Sequence, residues 1–150
     1  MPTHQFHTQR RIEFADTDMA GIVHFARFFV FMETAEHEFL RSLGREVHFE
    51  DDGRHIGWPR VKAACEYMSP VRFGELLDIH LAVQRKGRSS MTYRFRFRCG
   101  ERRIAVGEIT CICCALPTPF PDAEAKLAAV PIPAVLADAI EEAPRQSAER

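Results

Sequence analysis

The chain lacks an excess of charge of either sign. Twenty Lys and Arg stand against 21 Asp and Glu, for a formal net charge of -1. That balance excludes nucleic acid and an anionic membrane as partners held by bulk charge, so any anion recognition has to be local. An apolar run long enough to span a bilayer is also lacking, and no membrane insertion is expected. The start, Met1-Pro2-Thr3-His4-Gln5, is polar and carries no secretory h-region, which makes the cytoplasm the expected compartment. No internal repeat, low-complexity tract or linker divides the 150 residues, so a single domain over 1–150 is expected, long enough to bury a substantial core. The five cysteines are an odd number and fit a reducing compartment better than a disulfide framework. Cys111, Cys113 and Cys114 lie close together, but Cys-x-Cys-Cys is not a zinc spacing and no His/Cys pair stands near to complete it. Neither a metal site nor a cofactor is expected.

What the chain does have is a change of period. Residues 6–14 read as a strand, with Phe6, Thr8, Arg10, Ile12 and Phe14 on one side. From about 24 to 43 the spacing turns helical, with Phe25, Phe28, Phe29, Met32, Ala35, Phe39 and Leu43 in one stripe, Val30 and Phe31 extending it around the first two turns, and Glu36, Glu38 and Arg41 on a wetter end. Gly44 suits a left-handed stop. Residues 45–57 are polar and read as a loop. Four strand candidates follow, at 61–69, 77–83, 91–98 and 103–115, the last apolar on both sides and read as central. Lys86-Gly87-Arg88-Ser89 and Gly100-Glu101 read as hairpin links. A proline-rich stretch begins at Pro117, a short helix is expected from about 132 to 142, and 144–150 is expected to be a frayed tail. The sum is an α+β fold: one long helix lying across one face of an antiparallel meander.

The most informative stretch is the junction Phe14-Ala15-Asp16-Thr17-Asp18-Met19-Ala20-Gly21-Ile22-Val23-His24-Phe25. It sets carboxylates beside a helix N-terminus, where free N–H groups can hold developing negative charge. A nucleophile or base next to an anion hole is the minimum equipment for acyl transfer. From the residues alone Asp18 reads first as a helix-proximal cap or turn residue, and Asp16 as a turn residue bonding nearby amides. An aspartyl-phosphatase or magnesium site would want a buried parallel strand just before the pair, and Arg10-Arg11-Ile12-Glu13-Phe14 is half polar.

Asp16-Thr17-Asp18-x-x-Gly21-x-Val23 ahead of a helix, followed by Ser69-Pro70-Val71-Arg72-Phe73-Gly74-Glu75 and Gly87-Arg88-Ser89, resembles the hotdog-fold acyl-CoA thioesterases of the 4-hydroxybenzoyl-CoA thioesterase type, including the Tol–Pal-associated branch. The likeness runs from about residue 8 to about residue 140. It implies a long central helix wrapped by a curved antiparallel sheet of about five strands. It also implies an acyl-CoA substrate and a homo-oligomer, either a dimer with sheets joined edge to edge or a homotetramer built as a dimer of dimers. By the resemblance Asp18 matches the catalytic carboxylate and the Phe25 backbone N–H the group that holds the thioester oxygen. Tol–Pal-associated members usually carry histidine at the position of Phe25; here His24 stands one place earlier.

With that resemblance in hand, further residues become candidates. Asp18 serves as nucleophile, forming a mixed anhydride that water hydrolyses, or as general base for a water; an ordinary Asp, with a pKa of roughly 3.9, is a feeble base at neutral pH. Gly21 marks a sharp bend or a close approach of backbone to substrate. Val23 and His24 line the acyl pocket, and Trp58 and Pro59 wall it, though His24 and Trp58 also read as structural. Lys86, Arg88, Ser89 and Ser90 offer a local anion site for the CoA phosphates, against the plain reading of a solvated hairpin tip. Two alternatives use the same fold: an acyl-thioester hydratase or dehydratase built on His24 with Asp18, and a non-catalytic acyl-CoA-binding module.

Overall fold

Alternation along the second half of the chain builds a five-stranded antiparallel sheet in a computed structural model that describes residues 1–116 and 127–145. In chain order the elements are strand β1 (Gln5–Arg11), helix α1 (Arg27–Ser42), short strands β2 (Phe49–Asp51) and β3 (Arg54–Gly57), and long strands β4 (Arg60–Tyr67), β5 (Leu76–Lys86), β6 (Ser90–Cys99) and β7 (Arg102–Ile112). Two-residue strands β8 (Cys114–Ala115) and β9 (Ala128–Ala129) and the one-turn helix α2 (Ala134–Ala137) follow. The main sheet runs β1-β5-β6-β7-β4 with every neighbour antiparallel; a smaller one runs β2-β3-β8-β9. Among the described residues no helix is long and apolar enough to cross a membrane.

Period-2 patterning decides which face meets the helix. Leu77, Ile79, Leu81 and Val83 of β5 and Met91, Tyr93, Phe95 and Phe97 of β6 are buried, while Asp78, His80 and Arg94 to Arg98 at even positions turn outward. Helix α1 answers with Phe28, Phe31, Met32, Ala35 and Phe39, all buried. Edge-on ring contacts tie the layers at Phe28–Phe97 (5.2 Å) and Phe39–Tyr93 (6.2 Å). Gly107 of β7 lets α1 come this close, since a Cβ there would run into the Met32 sulfur.

Several sequence expectations shift. The helix begins at Arg27 rather than near His24, because Ala26 N–H is taken by the His24 ring and the chain is still turning there. Most of the expected stripe is buried, and Phe31 with it, but Leu40 is inside as well, Phe29 is half-buried, Val30 is exposed and Phe25 is 63% exposed. Glu36, expected on the wet end, is buried because Arg60 covers it with two hydrogen bonds of 2.7 and 2.5 Å. Residues 45–57 are not all loop: Asp52 and Gly53, both at positive φ, make the two-residue turn of the β2–β3 hairpin. Strand β1 ends at Arg11, where Ile12 turns into the core. The sheet's centre is β6, and the chain of β7 leaves the main sheet after Ile112 to start β8. The terminal helix is only Ala134–Ala137. The proline-rich stretch 117–126 and the tail from 146 onward lie outside the described residues.

Candidate active site

Between β1 and α1 the chain makes a 3-10 turn at Phe14–Asp16 and then a tight loop. Asp16 is fully buried beneath it. One carboxylate oxygen accepts the Glu13 N–H (2.8 Å), and the other accepts Nε and Nη2 of Arg27 (3.0 and 2.6 Å), the first residue of α1. The Asp16 carbonyl accepts the His24 N–H (2.9 Å), so one residue fixes both ends of the loop. Asp18 stands two positions later, on the exposed side. Its N–H donates to the Ile22 carbonyl (2.9 Å), its carbonyl accepts the Gly21 N–H (3.0 Å) and its Oδ1 accepts the Ala20 N–H (2.8 Å). This is the turn-residue role of a short acidic side chain, and it holds the carboxylate in one orientation while leaving the second oxygen unengaged among the described residues. Gly21 completes the turn at φ +79°, a conformation that a side chain would strain.

The backbone N–H groups that follow decide what the loop can do, and that of Ile22 has no acceptor among the described residues. Val23 donates to Val71 (2.8 Å), His24 to Asp16 (2.9 Å), Ala26 to the His24 Nδ1 (3.1 Å) and Arg27 to the His24 carbonyl (2.9 Å). Among the described residues nothing accepts from the Phe25 N–H. It lies at the entry of α1, where the helix adds a partial positive charge. Asp18 and Phe25 line the same cleft, about 490 Å³ in volume, with Ile22, Val23, Phe28, Met68, Pro70 and Val71 as its apolar walls and Tyr67 and Ser69 as further polar groups. The cleft thus brings together a residue with an unengaged carboxylate oxygen and one with an unengaged backbone N–H, in largely apolar surroundings.

Tyr67, at the end of β4, has its ring edge-on to Phe28 (5.3 Å) and donates its hydroxyl to the Phe25 carbonyl (2.8 Å). Burial, then the neighbouring Cys65, push its phenol up to about 12, which keeps it a neutral donor. The Cys65 thiol is itself pushed up to about 11, first by burial. At the opposite end of β4, burial opposes the charge of Arg60, but hydrogen bonding and the field of Glu36 outweigh it and hold the guanidinium protonated.

The other sequence candidates separate in space. Val23 is in the cleft, and Gly21 shapes the turn beside Asp18. His24 stacks on the Phe25 ring (4.6 Å, 25° between planes) and spends its Nδ1 on Ala26. Trp58 and Pro59 precede β4 and so stand at the end far from Tyr67, roughly 23 Å along an eight-residue strand. Lys86 uses its ammonium on the carbonyls of Ala137 (2.8 Å) and Ile140 (2.6 Å), which pins the C-terminal segment to the hairpin. The hairpin is closed by Gly87 N–H on the Ser90 carbonyl (2.8 Å), and Arg88 is exposed on it beside the half-buried Ser89 and Ser90. No group of three or more His, Cys, Asp or Glu suited to a metal ion exists among the described residues. Sequence reasoning missed Tyr67, the Asp16–Arg27 pair and Glu36–Arg60. An exposed Tyr at a strand end and an Arg in the first helical turn carry no local mark of their partners.

Comparison with known proteins places the chain in a family. The Thioesterase superfamily matches residues 20–106, more than half the chain. A 1,4-dihydroxy-2-naphthoyl-CoA hydrolase of Thermosynechococcus vestitus is 32% identical over 143 residues, covering 90% of this chain and 90% of its own. A solved gentisyl-coenzyme A thioesterase superposes with a TM-score of 0.74 at 26% identity, over 91% of this chain and 100% of that one. The 4-hydroxybenzoyl-CoA thioesterase of Pseudomonas sp. strain CBS-3 gives a TM-score of 0.73 at 20% identity, over 91% and 99%, a likeness of fold. With its long helix laid across a five-stranded antiparallel sheet, the chain belongs to the thioesterase superfamily of hotdog-fold thioester hydrolases.

Proposed function

We propose that this thioesterase hydrolyses an acyl- or aryl-CoA thioester, with Asp18 as its nucleophile and the Phe25 N–H as its oxyanion donor. The observation that carries the reading is the run Val23–Arg27, in which four N–H groups are taken and that of Phe25 has no acceptor among the described residues, on a residue that lines the same cleft as Asp18. The free Asp18 oxygen attacks the carbonyl carbon, and negative charge moves onto the carbonyl oxygen at Phe25. The C–S bond then breaks to release CoA thiolate, whose pKa of roughly 8.5 makes it a good leaving group without a strong general acid. Water hydrolyses the resulting mixed anhydride, returning the Asp18 carboxylate and the free acid. Asp18 as general base for that water is the variant of the same reading. A hydratase would need His24 paired with Asp18, and no His24–Asp18 contact exists among the described residues.

The exposed Arg88 with Ser89 and Ser90 fits a place for CoA phosphates. Lys86 supports that hairpin through its two carbonyl partners rather than through its charge. The two sheet edges differ in a way that supports a homo-oligomer. Strand β1 shows water Gln5, His7, Gln9 and Arg11, whereas β4 exposes Val61, Ala63, Ala64 and Tyr67. Antiparallel pairing of β4 with its copy would make a dimer and a tetramer would pair two such dimers, while Trp58, buried in its own core, keeps the structural role. The five free cysteines agree with a cytoplasmic setting.

Thiol release from acetyl-, hexanoyl-, palmitoyl-, benzoyl-, 4-hydroxybenzoyl- and phenylacetyl-CoA, with the acid product identified by mass spectrometry, tests the reading. Equimolar thiol and free acid are expected from at least one substrate class. A hydroxyacyl or enoyl thioester product would replace the hydrolase by the lyase, and tight binding without thiol release would replace it by the acyl-CoA-binding module.

A further inference from the structure

The oxyanion reading asks one backbone N–H to sit in a fixed place, yet Phe25 lies outside the helical ladder that would hold it. Helix α1 starts two residues later, and the Phe25 side chain is largely exposed. The planes on either side of this residue are held by other means. The His24–Phe25 peptide is held through the His24 carbonyl, which accepts the Arg27 N–H, and the plane before it through the His24 N–H on the Asp16 carbonyl. The Phe25–Ala26 peptide is gripped at both poles: its N–H meets the His24 Nδ1 (3.1 Å) and its carbonyl meets the Tyr67 hydroxyl (2.8 Å). Only the Tyr67 bond comes from another layer, tying the helix entry to the end of β4.

We infer that Tyr67 is a positioning residue for this thioesterase: its hydroxyl anchors the Phe25 carbonyl to the sheet and thereby preorganises the Phe25 N–H for the thioester oxygen. The inference rests on the reading of that N–H as the oxyanion donor. A donor that must reorganise at the moment of reaction contributes less than one already in place, and a small misplacement is costly when geometry sets the rate. The hydroxyl has one hydrogen, and that hydrogen is spent on Phe25, so Tyr67 acts through the backbone rather than on the substrate. A phenol keeps that hydrogen through the neutral range at its ordinary value of about 10. The ring does a separate job, lining the cleft and packing on Phe28. Tyr67→Phe keeps the ring and removes only the anchor.

The test compares wild type with Tyr67→Phe in two readouts, steady-state thiol release on one aliphatic and one aromatic acyl-CoA, and 15N relaxation dispersion at the Phe25 amide. The expected result is a loss in kcat of about 10-fold, the scale of one preorganising hydrogen bond, equal for both substrates and with KM unchanged within about two-fold. New microsecond-to-millisecond exchange should appear at the Phe25 amide. A merely structural or pocket-lining role would move KM and would differ between the acyl groups. The inference is overturned if kcat stays within two-fold of wild type, or if kcat falls while the Phe25 amide is unaltered. Should wild type release no thiol from any substrate, the thioesterase reading itself has failed; the amide measurement, which needs no turnover, would still report whether Tyr67 holds Phe25.

Discussion

The seam between α1 and β4 has two unlike ends. At one, Glu36 is buried and Arg60 forks onto both of its oxygens, with Glu33 a further 3.6 Å from the guanidinium. At the other, the Asp18 carboxylate keeps one oxygen unengaged, the Phe25 N–H has no acceptor among the described residues, and a cleft of about 490 Å³ opens between them. Matched polar groups serve the fold, because a buried charge without its partner is costly. Unmatched groups at a cleft do the reverse and leave hydrogen-bonding capacity for a ligand. The same contrast recurs over two residues of sequence: Asp16 is buried and saturated by Arg27 and Glu13, while Asp18 faces the cleft.

The contrast can be broken at the matched end first. Glu36→Ala strands Arg60, and the cost should be about 3 kcal/mol, the lower end of the range for a broken buried pair because Arg60 is partly exposed. Urea unfolding reads it, and the folded fraction should keep its kcat within about two-fold; unaltered stability would remove the structural half of the comparison. Between the two ends, Gly107→Ala pushes Met32 and with it α1 away from β7, at a cost of about 1–2 kcal/mol. Because α1 carries Phe28 into the cleft, thiol release should fall along with Tm; a fall in Tm alone would mean that the two ends move independently. Gly21→Ala forces a side chain into φ +79°, which should cost about 1 kcal/mol in stability. Its effect on kcat should be larger than on Tm, since the strained turn is the one that orients Asp18.

The smallest effect lies on the outer face of the sheet, far from either end. Burial, then the charges of His7 and Arg96, hold His80 below its ordinary 6.5. The unfolded chain therefore binds more protons than the native one between that lowered value and 6.5, so stability rises with pH across the window and declines on acidification. His80→Gln should flatten a Tm profile taken between pH 7 and pH 5 while leaving thiol release at pH 7 unchanged. A profile as steep as wild type would assign the acid sensitivity elsewhere.

Legibility from sequence followed the same division. Asp18, Gly21 and Phe25 are neighbours in the chain, and the turn they make is local chemistry, so the junction could be read as a candidate site before the fold was known. The five long elements followed from period, because alternation at 77–83 and 91–98 and the helical stripe at 28–39 each reflect one buried face. Pairings between distant segments were invisible: Tyr67 with Phe25, Arg60 with Glu36, and Lys86 with the carbonyls of Ala137 and Ile140 join residues 24 to 54 positions apart. Polar composition hid the β2–β3 hairpin, whose only local mark is Asp52-Gly53. Glu36 was placed in water because no rule of helix periodicity announces a buried carboxylate whose partner arrives on a strand.

The most direct test of the account measures thiol release and Tm on one preparation of Asp18→Asn beside wild type. The account predicts a loss in kcat on the order of 10³-fold with Tm unchanged, since Asn can still accept the Ala20 N–H that Asp18 holds in the turn. Release at the wild-type rate by a folded Asp18→Asn protein would contradict it, and would leave Asp18 as a turn residue.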